Sequence, residues 1–135
     1  MKDKAFLDTN LLIYLYSQTE IDKKETAEQL LEDYEVWIST QVLAELSNVL
    51  FKKFAISWQS IREVIEELQD NFYVYTNNHL TINKATKIAE TYQYGFYDSL
   101  IISAALSCDC KYLFTEDLHH TQIIDGKLDI LNPFK

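Results

Sequence analysis

Four carboxylates stand where a charge is hard to accommodate, because each borders apolar sequence. Asp8 ends the run Lys4–Leu7, and Glu45 flanks a helical stripe of Val42, Leu46 and Val49. Asp98 opens the apolar stretch Ser99–Leu106, while Thr115-Glu116-Asp117 closes Tyr112–Phe114. Each has an ordinary explanation when taken singly. Asp8 and Asp98 suit helix caps or first turns, Glu45 can extend its head to water, and Glu116-Asp117 suits a loop end. Gathered in one place, however, they would repel one another and lose hydration, so they would take up protons or require a cation. An oxygen-only set with positions left for water suits Mg²⁺ or Mn²⁺.

Other catalytic chemistries are poorly provided for. No Ser–His–Asp or Cys–His arrangement is evident, and His79 has no nucleophile near it in sequence. Cys108-x-Cys110 followed by His119-His120 has a cysteine spacing one residue short of the usual zinc loop, so these thiols read as core residues. An aspartyl-phosphate phosphatase would use Asp8 as nucleophile and want an acid two residues on, where Asn10 stands.

The elements needed to position these acids are legible. Lys4–Leu7 reads as a strand, followed at Asp8-Thr9-Asn10 by good helix caps and a turn or two over Leu11–Ser17. Ala27, Leu30, Leu31 and Tyr34 mark an amphipathic helix, and Val36-Trp37-Ile38 a second strand. Ser39-Thr40 caps the helix that carries Glu45, and another helix begins after Ser57. Phe72–Tyr75 is aromatic and β-branched, hence a third strand. A helix capped by Thr81 is expected to end in a left-handed turn at Gly95, before the buried helix over Leu100–Leu106. Tyr112–Thr115 makes a fourth strand and Leu128–Leu131 a fifth. Short apolar strands alternating with helices predict a parallel sheet covered on both faces. Ligands of such sheets bind beyond the strands' carboxyl ends.

The 135 residues suit one domain over 1–135, with 47% hydrophobic and 24% charged residues as in a globular chain. Two cysteines close in sequence suggest a reducing compartment, and no apolar run reaches the roughly 18 residues of a membrane span. A cytoplasmic protein is expected. The net charge of −9 argues against a general nucleic-acid binder. Lys52, Lys53, Lys84, Lys87 and Lys111 are the cations available for local phosphate contacts.

Phe6-Leu7-Asp8-Thr9-Asn10, Val42-Leu43-Ala44-Glu45-Leu46, Tyr97-Asp98-Ser99-Leu100-Ile101 and Leu113-Phe114-Thr115-Glu116-Asp117 resemble, in order and spacing, the acidic motifs of PIN-domain proteins. The compact length resembles the VapC-type toxins among them. The resemblance spans essentially the whole chain. It implies a three-layer α/β/α sandwich around a mostly parallel sheet of four or five strands. It also implies a Mg²⁺- or Mn²⁺-dependent endoribonuclease, an RNA substrate with tRNA one candidate, a cognate antitoxin and a homodimer. By the same resemblance Asp8, Glu45, Asp98 and Asp117 are the catalytic and metal-binding acids, Asp117 being selected over Glu116 by a Thr-x-Asp pattern. Asn10, Thr115 and Glu116 stand as supporting residues. Leu118-His119-His120 departs from the further acid and aromatic that often follow in the family. A PIN-like fold kept only for binding a protein partner is the alternative.

Overall fold

The computed structural model describes all 135 residues. In chain order the elements are β1 (Lys4–Leu7), α1 (Thr9–Tyr14), α2 (Ile21–Asp33), β2 (Glu35–Ser39), α3 (Thr40–Phe54), α4 (Trp58–Asn71) and β3 (Tyr73–Tyr75), followed by α5 (His79–Tyr92), α6 (Phe96–Ser107), β4 (Tyr112–Phe114), β5 (Ile123–Ile124) and β6 (Leu128–Leu131). One sheet contains all six strands in the order β3-β2-β1-β4-β6-β5. Every pairing is parallel except β5 with β6. The mostly parallel sheet matches expectation, with six strands instead of four or five. The additional one, Ile123–Ile124, is too short to show a periodic pattern in sequence.

The core explains why β1 lies at the centre. Ala5, Phe6 and Leu7 are at most 1% exposed, so this strand must be covered on both faces and on both sides. Parallel neighbours β2 and β4 supply the sides. The chain runs outward from β1 through β2 to β3, then returns across the sheet to lay β4 against β1. Strand order therefore reverses at the β1–β4 boundary, where the two carboxyl ends leave a crevice.

Local signals start most helices where expected. Ser39 accepts a hydrogen bond from Val42 N to cap α3, and Ser57 does the same for α4 from Ser60 N. Two expectations are corrected. Asn78, not Thr81, caps α5: its side chain accepts from the Leu80 and Thr81 amides, and Thr81 completes a capping box from the third helical position. Gly95 does not end that helix. The left-handed residue is Gln93, at φ 62°, while Gly95 precedes α6 at φ −62°. Turning two residues early lets the Tyr94 hydroxyl reach Gln122 and accept from the His119 amide.

Cys108 and Cys110 are buried free thiols, as expected of core residues. No helix is long and apolar enough to cross a membrane.

Candidate active site

The site begins with two adjacent strand ends. The Asp8 amide donates to the Phe114 carbonyl at 3.0 Å, continuing the β1–β4 pairing one residue past the strands. This puts Asp8 and Thr115 side by side, and the Thr115 hydroxyl donates to Asp8 Oδ2 at 2.8 Å. Asp8 Oδ1 accepts from the Thr9 amide at 2.7 Å, capping α1. Both carboxylate oxygens are thus oriented before any ligand arrives.

Glu45 approaches from α3, which packs against α1. Thr9 Oγ1 donates to Glu45 Oε1 at 2.7 Å, tying the acid to the residue after Asp8. Asp98 lies in the first turn of α6, a helix so enclosed that every residue from Ser99 to Leu106 is buried. Asp117 arrives on the loop after β4. Asn10 Nδ2 donates to its Oδ2 at 2.8 Å, and its amide donates to Thr115 Oγ1 at 3.2 Å. Asp8, Glu45, Asp98 and Asp117, together with Asn10, line one cleft of about 360 Å³ beyond the carboxyl ends of β1 and β4.

Glu116 is not in that cleft. It turns toward α1 and α2, accepting from the Tyr14 hydroxyl at 2.5 Å and from Lys23 Nζ at 2.6 Å. Desolvation opposes its ionisation, but these two donors outweigh it and hold the carboxyl below the usual glutamate range.

The electrostatics of the cleft run the other way. Asp8 is 6% exposed, and desolvation pushes its carboxyl up to about 6. The Thr115 and Thr9 hydrogen bonds pull it down, while the charges of Glu45 and Asp117 push it further up. Asp98 is also raised, by desolvation first and then by Asp117 and Glu45. No lysine, arginine or histidine lines the cleft to offset these charges. Asn10 Oδ1 is buried there without a hydrogen-bond partner, one more oxygen facing no donor.

This donor set fits a hard divalent cation: carboxylate and amide oxygens, no sulfur or nitrogen ligand, and uncompensated negative charge. As they stand, no three His, Cys, Asp or Glu side chains lie close enough together to hold a metal ion between them. An open set of this kind suits Mg²⁺, which keeps several waters and takes one or two carboxylates directly.

Several residues that shape the cleft escaped sequence reasoning. Gln41 Nε2 donates to the Tyr97 carbonyl at 3.1 Å and approaches Glu45 Oε2 at 3.4 Å, bridging α3 to the start of α6. Tyr97, a residue 68% exposed, lines the rim. Asn48 and Val49 line the wall. The available signal was helical spacing: Gln41 is one turn before Glu45, and Tyr14 one turn after Asn10. Three of the lysines available for phosphate contacts lie away from the cleft. Lys111 precedes β4 at the amino end of the sheet and pairs with Asp3 at 3.8 Å, opposite the cleft. Lys84 and Lys87 border a different hollow with Tyr92 and Asp125.

Residues 5–124 match the PIN domain family, and the chain belongs to it. Solved structures share the fold at low sequence identity. A toxin–antitoxin complex from Klebsiella pneumoniae is 21% identical with a TM-score of 0.71, covering 96% of this chain and 97% of that one. VapBC-1 from nontypeable Haemophilus influenzae is 24% identical with a TM-score of 0.66, over 98% and 99% of the two chains. VapC20 of Mycobacterium tuberculosis, a toxin that cleaves the sarcin–ricin loop, is 17% identical with a TM-score of 0.67, over 84% and 89%. A comparison with curated proteins returns no significant match.

Proposed function

We propose that this chain is a Mg²⁺- or Mn²⁺-dependent endoribonuclease, the toxin of a VapBC-type toxin–antitoxin pair acting in the cytoplasm. The observation that carries the reading is the convergence of Asp8, Glu45, Asp98 and Asp117 on one cleft that no basic side chain lines. Asp8 and Asp98, the two acids with raised carboxyls, are the direct ligands in this reading. Glu45 binds directly or through water, and Asp117 completes the set. When bound, a divalent cation supplies Lewis acidity toward a phosphodiester oxygen and makes a nearby water more acidic.

The chain's own groups do the positioning. Thr115 and the Thr9 amide fix both oxygens of Asp8, Thr9 fixes Glu45, and Asn10 fixes Asp117. Tyr97, exposed at the rim, presents a ring on which an unpaired base can stack beside the phosphate under attack. The partners proposed are RNA, tRNA being one candidate, a cognate antitoxin and a second copy of the chain. The antitoxin is supported by the toxin–antitoxin assemblies among the solved relatives.

The test is purified protein with total RNA, with and without Mg²⁺ or Mn²⁺, beside Asp8→Asn and Asp98→Asn. Cleavage that needs the metal and disappears in both folded variants is the expected result. RNA decay that persists in Asp98→Asn, or that ignores chelation, excludes this reading.

A further inference from the structure

Consecutive acids at the end of β4 take opposite directions, and α1 reads them separately. Asn10 and Tyr14 lie one turn apart on this helix. Asn10 holds Asp117 in the cleft at 2.8 Å, whereas Tyr14 holds Glu116 outside it at 2.5 Å. Lys23, from α2, closes the second contact: its Nζ lies 2.6 Å from Glu116 Oε2 and 3.1 Å from the Tyr14 hydroxyl. The ammonium is further placed by two rings, at 4.9 Å from the Tyr14 centroid and 5.2 Å from that of Phe134. Phe134 meets Tyr14 edge-on at 5.3 Å. Glu116 is therefore gripped by donors from two helices, and those donors are gripped in turn.

From this arrangement we infer that Tyr14 and Lys23 are positioning residues for the metal centre, acting through Glu116 to keep the loop after β4 in the one orientation that delivers Asp117. Two effects follow from one contact. Asp117 stays aimed at the cleft, and a fifth carboxylate stays out of a hollow whose four acids already repel one another. Glu116 thus supports the site from outside it. The inference rests on the metal-site reading above but concerns ion binding, which is measured apart from RNA cleavage.

The experiment titrates Mn²⁺ into the whole chain and follows the free ion by electron paramagnetic resonance, with thermal unfolding of each metal-free variant in parallel. Lys23→Met is expected to raise the Mn²⁺ dissociation constant about tenfold, the usual scale for losing a group that orients a ligand. Tyr14→Phe shifts it in the same direction, and Lys23→Arg restores binding to within about twofold of wild type, since it keeps a cation on Glu116. Mn²⁺ affinity unchanged in both Lys23→Met and Tyr14→Phe overturns the inference, even if both unfold at lower temperature, because the contact would then serve stability alone. Should Lys23→Met fail to fold, the milder Tyr14→Phe decides by the same criterion. Wild-type chain that takes up no Mn²⁺ overturns the inference together with the metal site. Wild-type chain that binds Mn²⁺ yet leaves RNA intact removes only the nuclease reading.

Discussion

Asp8 carries opposite demands of folding and chemistry. Its carboxyl is raised from an ordinary 3.8 to about 6, chiefly by burial. A raised acid contributes stability that is fully present below the unfolded value and is lost as pH rises through the folded one. For Asp8 the loss falls between about pH 3.8 and 6 and amounts to about 3 kcal/mol in the metal-free chain. Asp8→Asn keeps one oxygen to accept from Thr9 N, turns an NH₂ donor toward the Thr115 hydroxyl, and carries no charge. At pH 7.5, without metal, it should therefore unfold at a higher temperature than wild type, by the equivalent of about 1–3 kcal/mol. A lower melting temperature there would show that the charge is not destabilising. The same titration bears on ion binding, because protons compete with the cation for Asp8. Half-saturating Mn²⁺ should rise steeply as pH falls below about 6, which an isotherm at each pH would measure. Sequence reached Asp8 because a strand end and three successive capping residues coincide there. It did not reach Thr9 as a partner of Glu45, since that contact joins residues 36 positions apart.

Among the elements, α6 has the most to do. Its body is buried from Ser99 to Leu106, leaving the first turn and the terminal Ser107 to face outward. That turn carries Asp98 into the cleft and leaves Tyr97 at the rim, and Gln41 secures the Tyr97 carbonyl from α3. Replacing Tyr97 with Ala removes the exposed ring without touching a core contact. If a base stacks there, KM for a single-stranded RNA should rise about tenfold, as loss of one base–aromatic stack implies, with kcat little changed and Tyr97→Phe near wild type. Initial-rate kinetics on a short oligonucleotide separate the two constants. Loss of self-association in Tyr97→Ala, with KM unmoved, would instead assign the ring to a contact between protein chains. Much of the helical layer was legible beforehand. Ser39-Thr40 and Ser57 stand directly before strongly periodic segments, so the first start could be read to within a residue and the second to the residue. The expected cap at Thr81 and stop at Gly95 failed for different reasons. Asn78, three residues earlier, takes the cap and leaves Thr81 to complete the box, whereas Gln93 turns left-handed ahead of Gly95 and Tyr94 reaches the distant Gln122.

Across the whole molecule, the cleft exists because strand order reverses between β1 and β4. Alternation of strands and helices predicts a parallel sheet, yet no local pattern states which strands are neighbours. The convergence of acids from positions 8, 45, 98 and 117 was therefore an expectation drawn from topology and from family resemblance, and the described cleft brings them together. A ligand that joins β1, α3, α6 and the loop after β4 binds only the folded chain, so it must stabilise all of them together. Mn²⁺ at about a hundred times its dissociation constant should add about 2.7 kcal/mol, and EDTA should reverse the gain. Scanning calorimetry with and without chelator measures this shift. A melting temperature indifferent to metal would contradict binding in the cleft. The lysines do not form a single phosphate-binding face around this site, since Lys111 lies at the other end of the sheet. Salt should consequently weaken RNA binding less steeply than in a protein with a basic groove.

The two outermost strands are β3, with three residues, and β5, with two. Strand borders expose unpaired amide and carbonyl groups on which other polypeptides can zip up, and brevity is one of the ways proteins blunt that hazard. Ile123–Ile124 runs antiparallel to its neighbour and directs one isoleucine into the interior while the other meets solvent. A chain attempting to add there would find hardly any ladder to extend. The same stubby hairpin that adds a sixth strand thus also closes the sheet against uncontrolled growth.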